Sequence, residues 1–149
     1  MRIVIDTNVI IDGIKDEYSY EKQILDAVIN GEIEAYANHA TISENRLITS
    51  RLVADESYKR EISLLLTQIN LVRNKHQINI VSDPEDNKIL ESAVEAKAEF
   101  LVTRDNDLLS LGKYENIEIV TPAEFWNRYK DSGSELWNCL LYTSDAADE

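Results

Sequence analysis

The sequence carries a single cysteine in 149 residues, so no internal disulfide and no cysteine-based zinc site can form. Bases are scarce: 15 Lys and Arg against 28 Asp and Glu give a formal charge of −13, which argues against a broad basic surface for nucleic acid. No apolar run approaches the ~20 residues of a membrane span, and no basic region precedes the first apolar run as it would in a signal peptide. A soluble cytoplasmic protein with no membrane attachment is expected. No internal repeat, low-complexity tract or linker divides the chain. With 44% hydrophobic residues it is long enough for one domain with a real core and too short for two. The acidic excess has two readings, a solvated face that aids solubility or carboxylates gathered to hold metal ions.

The C-terminal stretch stands apart. Cys139 to Glu149 resembles one reading frame of the transposase adapter used in sequencing libraries. Residues 132–149 are therefore expected to be a non-native or disordered tail behind a domain of residues 1–131. The adapter-like segment carries three acids and no base, so without it the charge is about −10, and the only cysteine goes with it.

What remains reads as strands alternating with helices. Ile3 to Ile5 is a short β-branched run, suited to a strand buried on both faces, and Asp6, Thr7 and Asn8 follow it at once. Tyr20 to Asn30 has helical spacing with Gly31 as a stop, Ile33 to Ala37 predicts a second strand, and Thr41 to Val53 a helix. Within that helix Glu44 shares the inward face of Leu47, Ile48 and Leu52. Asp55 to His76 is the longest periodic segment, with Tyr58, Ile62, Leu65, Leu66, Ile69 and Val72 in one stripe facing the core. Ile78 to Val81 is expected as the third strand.

The next helix opens at Asp83, suited to the N-cap, with Pro84 at the first helical position. Asp86 precedes Ile89, Leu90 and Ala93 by three, four and seven positions and so aims at the core side, while Glu85, Glu91, Glu95 and Glu99 are expected to point outward. Phe100 to Thr103 is a fourth strand, ending in Arg104-Asp105-Asn106-Asp107, and Ile117 to Val120 a fifth. Thr121 to Glu124 reads as a capping box opening the last helix, Pro122 to Lys130. This order predicts a three-layer α/β/α sandwich around a mainly parallel, five-stranded sheet.

In such a sheet, strand carboxyl ends share one edge with the starts of the helices that follow them. Asp6, Glu44, Asp86 and Asp105 all fall at these places. Each has a mundane explanation as a cap or a dipole partner, but two ionised carboxylates about 5 Å apart repel by ~3 kcal/mol at an effective dielectric of 20. A cluster must hold protons or cations. Oxygen ligands without His or Cys suit Mg²⁺ or Mn²⁺, and the chemistry such a site supports is phosphodiester hydrolysis. Thr7 and Thr103 suit orienting roles, and Asn8 suits placing a water or a carboxylate. His39 and His76 read as ordinary surface or loop histidines.

Three motifs in order carry a resemblance: Val4-Ile5-Asp6-Thr7-Asn8-Val9-Ile10, Ser82-Asp83-Pro84-Glu85-Asp86-Asn87-Lys88, and Leu101-Val102-Thr103-Arg104-Asp105-Asn106-Asp107-Leu108-Leu109. The chain resembles the PIN-domain ribonucleases, in particular their branch of VapC-type toxins of toxin–antitoxin systems, from Arg2 to about Arg128. The resemblance implies a Mg²⁺- or Mn²⁺-dependent endoribonuclease acting on single-stranded or structured RNA, a cognate antitoxin protein as partner, and a homodimer. It implies Asp6, Asp86 and Asp105 as metal ligands, Glu44 as the family's second acid, Asp107 as an auxiliary acid, and Asn8 as a supporting polar residue. Arg46, Arg51, Lys88 and Arg104 are candidate contacts to RNA. Arg104 departs from the family pattern, where a small residue is common, and the motif around Glu44 is less typical.

Two other classes fit less well. A PIN-like module without catalysis would bind RNA or a protein and need no metal. A response-regulator receiver domain expects Asp at the end of the third strand and Lys at the end of the fifth, where this chain has Val81-Ser82 and Val120-Thr121.

Overall fold

The structure is a computed structural model that describes residues 1–43, 56–75 and 77–131. In chain order it contains β1 (Arg2–Ile5), α1 (Thr7–Lys15), α2 (Tyr20–Ile29), β2 (Glu34–Asn38), α3 (Glu56–Gln68), β3 (Asn70–Val72), α4 (Pro84–Glu95), β4 (Phe100–Val102), α5 (Asn106–Leu111), β5 (Lys113–Tyr114) and β6 (Ile117–Val120). Helix α6 follows over residues 122–131, and residues 39–43 form a helical turn after β2. The six strands make one sheet in the order β3-β2-β1-β4-β6-β5, parallel throughout except for the β5–β6 hairpin at one edge.

Strand pleating sorts the core into two halves. Ile3 and Ile5 face one side of β1 and join Val9, Ile10 and Ile14 of α1, Ile24, Leu25 and Val28 of α2, Ile62 and Leu65 of α3, and Phe125 of α6. Val4 faces the other side, with Leu90 and Ala93 of α4, Leu101 of β4, Leu108 of α5 and Ile119 of β6. Helices therefore cover both faces, giving the three-layer α/β/α sandwich. No helix among the described residues is long and apolar enough to cross a membrane.

Two expected elements fall elsewhere. The stripe from Tyr58 to Ile69 does pack on the first core half, but the helix stops at Gln68 and the third strand is Asn70–Val72, so Val72 packs on the opposite half. Ile78 to Val81 is not a strand. Its amides are taken by side chains of α4: Ile78 N donates to Glu91 Oε1 at 2.7 Å, and Ile80 N and Val81 N both donate to Asn87 Oδ1 at 3.0 Å. Lys75 N likewise donates to Glu95 Oε1 at 3.0 Å. Glu91 and Glu95, expected to point outward, thus join Asn87 in a polar comb at four-residue spacing that straps residues 74–75 and 78–81 along the helix. β5, the short antiparallel partner of β6, is the sixth strand that the periodicity did not reveal.

Helix α1 packs closely on α2 at Gly13. A Cβ on Gly13 would lie 2.7 Å from Leu25 Cδ1 and 3.0 and 3.1 Å from the carbonyl carbon and oxygen of Glu21. Gly13→Ala gains about 1 kcal/mol of helix propensity, but overpacking against fixed backbone costs about 1–3 kcal/mol. The expected result is a net destabilisation, read as a lower urea midpoint at unchanged slope.

Candidate metal centre

The chain runs from β1 out to β2 and β3 on one side, then returns to place β4 on the other side of β1. The reversal opens a crevice at the carboxyl ends of β1 and β4, where ligands bind in parallel α/β sheets. Asp6 leaves β1 there, its amide donating to the Val102 carbonyl at 2.9 Å. It occupies the N-cap of α1, yet its side chain makes no capping hydrogen bond. The buried Thr103 hydroxyl donates to Asp6 Oδ2 at 2.8 Å and accepts from the Asp105 amide at 3.0 Å, so one side chain ties both strand ends together.

Two further aspartates act as caps. Asp105 is the N-cap of α5, its Oδ1 accepting from the Asp107 amide at 2.8 Å. Asp83 is the N-cap of α4, with Oδ1 accepting from the Glu85 amide at 2.9 Å. Asp86, in the position of a capping-box acid, differs: it is 5% exposed and its Oδ2 is buried without a hydrogen-bond partner among the described residues. Asp86, Asp105 and Asp107 each bring a carboxylate oxygen to within 4.8 Å of the others. The three grade from buried through half-buried to exposed, so the cluster opens to solvent.

The electrostatics match the crowding. Burial, with the charges of Asp105, Asp83, Asp6 and Asp107, pushes the Asp86 carboxyl up to about 6. Burial also raises Asp6, against the lowering pull of the Thr103 hydrogen bond and with a further push from Asp105. Asp6 is therefore within electrostatic reach of the triad although its oxygens are not part of it.

A divalent cation fits these residues. Oxygens around one Mg²⁺ lie about 3–4 Å apart, and the ion keeps several waters of its own, so a triad of this spread is compatible with a partial shell. An orphaned buried carboxylate oxygen is what a cation would satisfy.

The other expected site residues are distributed unevenly. Asn8 sits in the first turn of α1 at the same edge and is exposed. Arg104 bonds Asp12 Oδ2 at 2.7 Å and lies 3.6 Å from Glu21, bracing the end of β4 against α1 and α2. Lys88 pairs with Glu85 at 3.1 Å. Both cations are thus already engaged by acids. Glu44, Arg46, Arg51 and His76 lie outside the described residues. The helical turn leading toward Glu44 starts at the same edge, its first amides at Ala40 and Thr41 donating to Asn38 Oδ1 at 2.7 and 3.2 Å. His39 is exposed in that turn. Sequence reasoning missed Asp12 and Glu21 as partners of Arg104, for which it held no signal. It also missed Asn87, whose spacing to Glu91 and Glu95 was visible.

Known proteins share this fold. The PIN domain family matches residues 2–107. An uncharacterized protein of Methanocaldococcus jannaschii is 27% identical over 144 residues, spanning 87% of this chain and 92% of that protein. The fold is similar to the crystal structure of VapBC2 from Rickettsia felis bound to a DNA fragment from their promoter. That likeness has a TM-score of 0.56 at 13% identity, covering 80% of this chain and 97% of the other. The T. brucei RRP44 PIN domain superposes with a TM-score of 0.48 at 12% identity, over 93% of this chain and 86% of that one.

Proposed function

The chain belongs to the PIN domain family, and from that premise we propose that it is a Mg²⁺- or Mn²⁺-dependent endoribonuclease, the toxin half of a toxin–antitoxin pair. The observation that carries this reading is the unpartnered Asp86 Oδ2 facing a crowd of carboxylates at the switch point of the sheet. Asp86, Asp105 and Asp107 would hold the cation, with Asp6 in electrostatic reach of them. When bound, the ion would supply a water of lowered pKa and offset charge on the phosphate and the leaving oxygen. Thr103 orients Asp6 through its hydroxyl and Asp105 through its amide, and Asn8 at the mouth places water or substrate. Glu44 keeps its proposed role as the second acid, and Arg46 and Arg51 as contacts to RNA. Arg104 and Lys88 reach RNA only by leaving their acidic partners.

A cognate antitoxin, a homodimer and a cytoplasmic location belong to the same proposal, as does a nuclease domain of residues 1–131 with a non-native tail behind it. The likeness of fold to VapBC2 supports the toxin branch. One observation favours the other reading, an inactive module for a protein partner: with Lys88 and Arg104 both tied to acids, the described cations nominated for RNA are engaged. That reading needs no metal.

The test is RNA cleavage in Mn²⁺ against excess chelator, with Asp6→Asn beside the wild type. Chelator should abolish cleavage. The substitution should lower it by more than about 100-fold, beyond the loss typical of residues that merely support a ligand. The melting temperature in chelator should not fall, because the asparagine oxygen still accepts from Thr103. Cleavage that persists in chelator overturns the reading.

A further inference from the structure

We propose that Asn87 is a positioning residue for the Asp86 carboxylate, an inference that rests on the metal-site reading above. Among the described residues nothing hydrogen-bonds Asp86 Oδ2, so the placement of the first turn of α4 sets where that oxygen lies. That turn is anchored by its neighbour. Asn87 is 5% exposed, and its carboxamide is committed to the segment that enters the helix. Oδ1 accepts from the amides of Ile80 and Val81, both at 3.0 Å, and Nδ2 donates to the Val81 carbonyl at 2.8 Å. One side chain thus does for residues 80–81 what a neighbouring strand does elsewhere in the sheet. It fixes the path of Ser82 and Asp83 into the helix, and so the distance from Asp86 to Asp105 and Asp107.

The same strap contains its own control. Glu91 and Glu95 hold residues 75 and 78 by their amides, and Glu91 also accepts from Asn74 Nδ2 at 3.2 Å. Glu91 sits one turn, about 6 Å, further along the helix from Asn87. Loosening the strap at Glu91 costs stability without moving the first turn. Loosening it at Asn87 moves Asp86.

The experiment measures Mn²⁺ binding to the full chain by electron paramagnetic resonance, for wild type, Asn87→Ala and Glu91→Ala, with melting temperatures in chelator. Asn87→Ala should weaken Mn²⁺ binding by about tenfold or more, as loss of a residue that orients a ligand does. Glu91→Ala should change it by less than about twofold at a comparable loss of melting temperature. If Asn87→Ala does not fold, Asn87→Gln, which keeps the carboxamide but displaces it by one methylene, should weaken binding in the same direction. Wild-type binding with unchanged affinity in the folded Asn87 variants, or equal weakening in Glu91→Ala, overturns the positioning role and leaves the metal site standing. A wild type that binds no Mn²⁺ removes both.

Discussion

Asp86→Asn is expected to give a protein that melts higher than the wild type in chelator and cleaves no RNA. The two effects have one cause. Asp86 is buried, its Oδ2 has no partner, and the charges of Asp105, Asp83, Asp6 and Asp107 all oppose its ionisation. A neutral side chain of the same shape removes the desolvation and the repulsion together. Relief of one unsatisfied buried group is worth about 1 kcal/mol or more, a few degrees in a chain of this size. The same substitution removes the most buried member of the triad and with it the grip on the cation.

Three residues earlier the sign reverses. Asp83 caps α4 through the Glu85 amide, so Asp83→Ala should cost about 1 kcal/mol. Calorimetry in chelator and a cleavage assay in Mn²⁺ decide the pair. An Asp86→Asn protein that melts lower than wild type would make Asp86 a structural anchor and not a ligand held ready.

How far the sequence reaches explains why these neighbours needed a structure to be told apart. β1 and β4 were legible because both strands are paired on each side, so each reads as an unbroken apolar run ending abruptly in acids. That placed Asp6 and Asp105 correctly at one edge. β3 was not legible. It lies at the sheet edge, largely exposed, and Ile69 and Val72 happen to continue the helical spacing of Leu65 and Leu66. Ile78 to Val81 looked like a strand because three of its four side chains are β-branched. Its fate was decided by where its amides find acceptors, and Asn87 and Glu91 of α4 take three of them. Nor does spacing show whether a carboxylate caps or waits: Asp83 and Asp105 spend one oxygen on a cap, whereas Asp6, at the N-cap of α1, leaves its cap unmade and turns to Thr103. The resemblance implies Asp107 only as an auxiliary acid, and it is exposed in the first turn of α5. The turn that Asp105 caps brings it into the triad.

Mn²⁺ affinity is expected to fall about tenfold for each pH unit below about 6, where the cation must displace a proton from Asp86. Burial raises Asp6 as well, so its protonation opposes the cation in the same direction. Stability without metal runs the other way. With a native pKa of about 6 against an ordinary 3.8, the folded protein binds more protons through Asp86 than the unfolded chain does between those values. By linkage this contribution to stability is fully present below the unfolded value and is lost as pH rises to about 6. Metal restores it above that point, because binding to the native state alone adds stability as the free ion exceeds its dissociation constant. The shift in melting temperature on adding Mn²⁺ should therefore be large at pH 7, small at pH 5 and absent in Asp86→Asn at both. Subtracting the variant from the wild type cancels the titration of the remaining acids and leaves this one group. A Mn²⁺ shift of the same size at pH 5 and 7, or one that survives in Asp86→Asn, would place the cation on other oxygens and leave the orphaned carboxylate at the head of α4 without a purpose.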